Sequence, residues 1–517
     1  MKLLTSQDLI AAGYEPGPIF KILFAKIEEY ETRGIKDPKY ALKLLKRDCG
    51  EPVKKLKKRT ESLPFSEAIS PANAEERDNV EKVRRQMNQL LRTPVISSGV
   101  ILPDACPAGM AEAVIPVGAA VVAENAIIPS AHSADICCSM YATFYDERSS
   151  VASEIDDLKS VTNFGPIPRA HDENVYDPVL DEDVWDNPFL KGLENRARMH
   201  LADQGDGNHF AYIGEMSITP EFIGMLKITG YVDLAERLQS ADPCETRKLR
   251  VLVTHHGSRS IGAHLYKRGQ IAAEKHTAKV AEGIPKAAAW LDATTDTGRD
   301  YWDALQYIAR WTLANHKAIH RRFIEKIGGT AIAEFGNEHN FVWKRGDLFY
   351  HGKGATPAWK DDQGRPKLGL IPLNMAEPIL MVLGADNEEF LSFAPHGAGR
   401  NMSRTALMRK FPEEADRARI LAESTDGIDV RWFSDKPDLS ESPIAYKNAA
   451  DVKRQIGEFG LAEVVAEIHP LGCIMAGHID PPWRSRKEQL SPKQLRQIEH
   501  RAERRKTKQG LEDLSGD

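Results

Sequence analysis

The segment APHGAGRNMSR (394–404) places His396 ahead of two glycines and follows them with Arg400 and Arg404. Gly397 and Gly399 let the backbone approach a ligand closely or take up positive φ, which a side chain would forbid. The four-residue spacing of the arginines predicts two cations on one helical face. An imidazole on an open loop beside guanidinium groups suits phosphate chemistry; the plainer alternative is a capping loop at a helix N-terminus. Further along the chain lie other short polar motifs. SADICCSM carries Asp135 and Cys138 on a loop after a strand, GDGNHF carries Asn208 and His209, VTHHGSRSIG carries His255, and NEHNF carries His339 and Asn340. Each residue alone is equally a packed, hydrogen-bonded group. Should they converge, one thiolate, one carboxylate and three imidazoles would make a divalent-metal centre of mixed softness, which spacing along the sequence does not show.

Several familiar chemistries are excluded. No G-x-x-x-x-G-K-[ST] loop occurs, although HGKGAT (351–356) sets a lysine between glycines. There is no G-x-G-x-x-G in strand–helix context, no H-E-x-x-H and no paired C-x-x-C with zinc-finger spacing.

The elements that must position these residues read as α+β. The chain has 517 residues and a formal net charge of -6, with six scattered cysteines that do not form a disulfide framework. No signal-like segment opens it and no apolar run approaches the roughly 20 residues of a membrane span, so a cytoplasmic protein is expected. Residues 1–60 read as a helical appendage, with Ile19, Phe20, Leu23 and Ile27 at helical spacing after Pro18. From Thr93 to Ala142 short β-branched runs broken by Gly and Pro predict strands. Helices are expected near 262–285 and 301–326, strands in FVWKRGDLFYHG and PILMVLGAD, and a helix followed by a strand up to Gly477. A single large mixed core over 61–480 and a mixed-charge helical tail over 481–517 complete the division. The cationic run KKLKKR (54–59) and the arginine-rich 484–510 segment read either as solvated helix faces or as local phosphate-binding surfaces on an acidic body.

In order, DICC, GNHF, HHGSRSIG, EHNF, HGKGAT, HGAGRNMSR and AYKN resemble the motif series of the RtcB family, RNA-splicing ligases that join a 3'-phosphate or 2',3'-cyclic phosphate end to a 5'-hydroxyl. The resemblance covers roughly residues 90 to 477. It implies that His396 is the nucleotidylated histidine, attacking the α-phosphorus of GTP. Asp135, Cys138, His209, His255 and His339 match the family's metal ligands, which implies two ions, manganese by analogy, with Cys138 bridging as thiolate. Asn208, Asn340 and the backbone of Gly397, Ala398 and Gly399 would meet the nucleotide phosphates, and Tyr446 a purine ring. Arg259, Lys353, Arg400 and Arg404 are the candidates for the phosphates of the RNA ends. The implied partner is RNA with such ends, for example a nicked tRNA, and no membrane. Two other classes fit the same motifs: a non-ligating RNA-binding homologue, and a metal-dependent phosphatase or cyclic phosphodiesterase acting on RNA ends.

The departures from the family pattern are grouped. Cys106 stands where PDxH has histidine, Tyr212 where a glutamate follows GNHF, PLNMA (372–376) where the family has PGSMG, Ile379 where a serine is expected, and Ala476 where a lysine is expected. Several of these positions surround the guanine base in the family, so relaxed base discrimination is expected. The N-terminal residues 8–34 bear a weak resemblance to a helical segment of tRNA nucleotidyltransferases. This reads as RNA docking or as a stabilising cap.

Overall fold

The structure is a computed structural model that describes residues 3–14, 16–51, 55–109, 111–169 and 175–478. It is an α+β protein. The basic segment expected over 484–510, the rest of the 481–517 tail and Lys54 lie outside the described residues.

Its centre is an eight-stranded sheet. The strands run in the order Ala333–Glu338, Ser139–Tyr145, Arg247–His256, Phe210–Ile218, Ala462–Met475, Ile379–Gly384 and Leu368–Ile371, and Asp429–Trp432 pairs in parallel with Ala462–Met475. The other pairings are antiparallel. Ser139–Tyr145 is buried along its whole length, and Arg247–His256 is buried from Leu249 onward. Strands covered on both faces read as continuous apolar runs rather than as alternation. The helix Asp296–Lys326 packs Trp311, Thr312, Asn315, His316 and His320 inward. Its start, earlier than the apolar pattern predicts, is set by Thr295, whose hydroxyl accepts the Gly298 N–H. The helix Arg259–Val280 likewise begins before position 262.

A second, five-stranded sheet orders Phe341–Arg345, Leu348–Lys353, Val117–Glu124, Ile96–Cys106 and Ser66–Glu67. Its Ile96–Cys106 strand departs from regular pairing. Ile101 faces Ala119 but Cys106 faces Val117, so the residues between them bulge out of the ladder. Such bulges re-aim side chains; here the bulge carries Asp104.

At the N-terminus, the helices Ser6–Ala11, Ile19–Thr32 and Pro38–Cys49 bury an apolar cluster of their own that includes Leu9, Leu23, Ile27, Tyr30 and Leu45.

Candidate active site

His396 follows the short strand Phe393–Pro395, and its ring is held by two acceptors. Nδ1 lies 2.6 Å from Asp104 Oδ2 and 2.9 Å from the Gly354 carbonyl. A carbonyl and a carboxylate can only accept, so Nδ1 carries a proton, and in the neutral ring the lone pair is at Nε2. The His396 backbone N–H also donates to Asp104 Oδ2, at 3.3 Å. Asp104 is fully buried, and its placement depends on Lys447: the buried ammonium donates to the carbonyls of Pro103 and Ala105, 2.8 Å each, pinning the bulge on both sides of the aspartate. Gly399 makes this approach possible. Its φ is +75°, and a Cβ there would come within 2.0 Å of the Asp104 carbonyl oxygen. Gly397 has no positive φ. Only one of the two glycines is therefore conformationally obligatory.

The five expected ligand residues converge. Cys138, His255 and His339 form one set of donors and Asp135, Cys138 and His209 another, the donor atoms of each set lying within 4.8 Å of one another. Cys138 belongs to both. Its Sγ is 3.2 Å from His255 Nε2 and 3.5 Å from His209 Nε2, and His209 Nε2 is 2.8 Å from Asp135 Oδ2. The Asp135–Cys138 loop precedes a strand, Ser139–Tyr145, instead of following one. His339 is tied to it through its backbone N–H, which donates to the Cys138 carbonyl at 2.8 Å.

The protonation pattern fits a cation. His255 Nδ1 lies 3.1 Å from the Asn208 carbonyl and so carries the proton there, leaving Nε2 as a bare lone pair 3.1 Å from His339 Nε2. Burial lowers the His255 pKa to about 3 and holds that of His339 well below its usual range, so both rings are neutral donors. Burial also raises the Cys138 thiol well above its ordinary value, with the Asp135 charge adding to the shift. A bound metal reverses that preference, because it takes the thiolate. Gly257 closes the arrangement: a Cβ there would sit 2.1 Å from Asp135 Oδ1. Each of the two sets has donors that could hold a metal ion, and Cys138 Sγ is common to both.

His396 stands next to this centre, its ring centroid 4.9 Å from that of His339. A cavity of about 230 Å³ opens against both. Asn208, His255, His396, Gly397, Ala398, Gly399, Arg400, Arg404 and Tyr446 all line it. The two arginines do not share a helical face. Arg400 lies in the loop and Arg404 begins the helix Arg404–Lys410. They converge on the buried carboxylate of Glu441, Arg404 Nε at 2.6 Å and Arg400 Nη1 at 3.4 Å. Tyr446 donates to the same carboxylate at 2.7 Å, and Arg400 lies over its ring, 5.2 Å from the centroid.

Three expected phosphate contacts do not line the cavity. The Asn340 amide oxygen accepts the Gly354 N–H at 2.6 Å, and its carbonyl accepts the Cys137 N–H. Lys353 donates to the Ile115 carbonyl at 3.1 Å, and burial lowers its pKa to about 8. Arg259 donates to the Gly165 carbonyl from a backbone with φ of 53°. Each of the three bonds to backbone that frames the site. Asp104, Lys447 and Glu441 were not assigned roles by the motif reading. Asp104 had a signal, its place two residues before Cys106 in PDAC; Glu441, in LSESP, had none.

Of the departures from the family pattern, Cys106, Tyr212, Pro372 to Met375 and Ile379 line the cavity, whereas Ala476 is buried but does not. Behind the sheet, the side chain of His256 points the opposite way to that of His255. Its ring stacks on His316, with centroids 3.5 Å apart. Thr254 Oγ1 bridges His316 Nδ1 at 2.6 Å and His320 Nε2 at 2.8 Å, and Ser139 Oγ meets His316 Nε2 at 3.0 Å. Among the described residues, no helix is long and apolar enough to cross a membrane.

A family model described as tRNA-splicing ligase RtcB matches residues 186–476. A tRNA-splicing ligase RtcB of Methanopyrus kandleri is 26% identical over 331 residues, 56% of this chain and 31% of that protein. One of Archaeoglobus fulgidus is 26% identical over 316 residues, 54% of this chain and 61% of that protein. The RNA-splicing ligase RtcB of Escherichia coli is 23% identical over 385 residues, 69% of this chain and 86% of that protein. The matched part of the chain thus spans less than two thirds of the archaeal relatives' length.

Proposed function

Because the chain belongs to the family described as tRNA-splicing ligase RtcB, we propose that it is an RNA ligase that works through a nucleotidylated His396. The substrates in this reading are RNA ends bearing a 3'-phosphate or 2',3'-cyclic phosphate and a 5'-hydroxyl, with GTP as the implied co-substrate. One observation carries the reading: the proton of His396 is fixed at Nδ1 by Asp104 and Gly354, so the lone pair is at Nε2, on a ring that lines the cavity.

Nε2 attacks the α-phosphorus of the triphosphate; the N–P bond forms as the α–β bridging P–O bond breaks and pyrophosphate leaves. The proton stays at Nδ1, where the Asp104 carboxylate stabilises the imidazolium that results. An oxygen of the RNA 3'-phosphate then attacks the same phosphorus and expels the imidazole. The 5'-hydroxyl oxygen then attacks the phosphorus of the RNA 3'-phosphate, its proton passing to solvent, and the anhydride P–O bond breaks to release the nucleoside monophosphate. A cyclic end first takes up water to open to the 3'-phosphate. Arg400 and Arg404, at the cavity wall, are placed to neutralise phosphoryl oxygens in competition with Glu441. Asp135, Cys138, His209, His255 and His339 would hold two divalent ions, manganese by family resemblance, which supply charge neutralisation to the phosphates.

The test uses α-labelled triphosphate and manganese with the purified protein, followed by an RNA carrying a 2',3'-cyclic phosphate and a 5'-hydroxyl. An acid-labile label on His396 and joined RNA are expected. A freed 3'-end without joining would assign a hydrolase, and unchanged RNA with no label a binding protein.

A further inference from the structure

The cavity has two unlike ends. Walking along the strand Phe210–Ile218 away from the ligand His209, Phe210 and then Tyr212 face it, and their cross-strand partners Met475 and Cys473 do the same. Ile379 and Met375 pack into the same apolar cluster. A nucleotide whose α-phosphorus meets His396 places its base against this wall.

Guanine and adenine differ in the edge that a protein reads. Guanine presents N1–H and N2–H donors and an O6 acceptor, and adenine an N6–H donor and an N1 acceptor. The strongest way to select guanine by its donors is a free side-chain carboxylate that accepts N1–H and N2–H together. The Tyr212 hydroxyl is spent on the Ile468 carbonyl at 2.9 Å. Glu441, the one carboxylate on the cavity wall among the described residues, is taken by Arg400, Arg404 and Tyr446. The Asn374 amide oxygen accepts the Ala376 N–H at 2.9 Å, which leaves its N–H groups as donors. Such a donor meets N7 of either purine, whereas a bond to O6 would favour guanine and would show as a GTP preference in the comparison below.

We infer that this site accepts its nucleoside triphosphate without selecting guanine, holding the base by apolar contact. The inference rests on the nucleotidyl-transfer reading for the pose of the nucleotide. A pocket that discriminates by hydrogen bonds rejects a mismatched analogue by about 10⁴-fold or more, whereas an apolar wall discriminates far less.

Two measurements test it on the full chain. The first compares histidine labelling by equal concentrations of α-labelled GTP and ATP with manganese. The second measures displacement of a fluorescent nucleotide by GMP and by AMP. Rates and affinities within about tenfold of each other are expected; a larger preference for either purine in either assay overturns the inference. Equal displacement without labelling by any triphosphate removes the transfer reading and leaves the base inference standing. Failure of both GMP and AMP to bind overturns both.

Discussion

The two ends of the cavity are built on different principles. At the His396 end two rings have their proton fixed by a second group: Asp104 and Gly354 for His396, and the Asn208 carbonyl for His255. At the far end the walls are Tyr212, Ile379, Met475 and their neighbours, with the Tyr212 hydroxyl and the Asn374 amide oxygen already committed to the fold. The difference teaches that, under the proposed function, group-transfer chemistry and base recognition are separable in this scaffold. Different residues line the two ends, so either set can change while the other stands.

Substitutions at the reactive end should break the contrast most strongly. His396→Ala is expected to abolish the acid-labile label and lower joining by at least about a thousandfold, read by gel transfer of label and by RNA product. Cys138→Ser removes the donor common to both ligand sets. Metal analysis after dialysis should show fewer than half of the wild-type ions retained, with labelling lost in step. Asp104→Asn keeps the shape but removes the charge that stabilises the imidazolium, and should slow labelling by about a hundredfold or more while nucleotide displacement is unchanged. Lys447→Met frees the bulge that carries Asp104; as the loss of an orienting contact it should cost about ten- to a hundredfold in labelling rate, with retained circular dichroism separating this from misfolding. Met475→Ala sharpens the comparison from the other side. It should weaken GMP and AMP displacement alike, by about tenfold, and a loss confined to one base would contradict the apolar-wall account.

Much of the site was legible because short motifs name residue types in order, and the five donors and His396 do come together. What the sequence could not convey was which partner takes each polar group. Asn340, Lys353 and Arg259 look like phosphate contacts as residue types, yet none lines the cavity and each makes a bond to backbone that frames it. Asp104 owes its role to an irregular ladder between Ile101 and Cys106, which no side-chain pattern announces. The arginine pair was read as a helical stripe, and it is Glu441, far along the chain, that brings the two together. Secondary structure followed periodicity well in the long helices. Their starts were missed where a polar cap such as Thr295 extends the helix beyond its apolar stripe.

The histidine pair at 255 and 256 has a consequence for how the chain assembles. Leu249 to His256 is buried throughout, so alternation of apolar and polar residues does not tell the strand which face is which. A slip of one residue would present one imidazole in place of the other, an error that packing alone penalises weakly. The hydroxyl of Thr254, gripped between His316 and His320, recognises one alignment only. The long helix behind the sheet therefore acts as a key for strand registration, and replacing both of its histidines with leucine should yield misaligned, metal-poor protein even though neither residue touches the reacting groups.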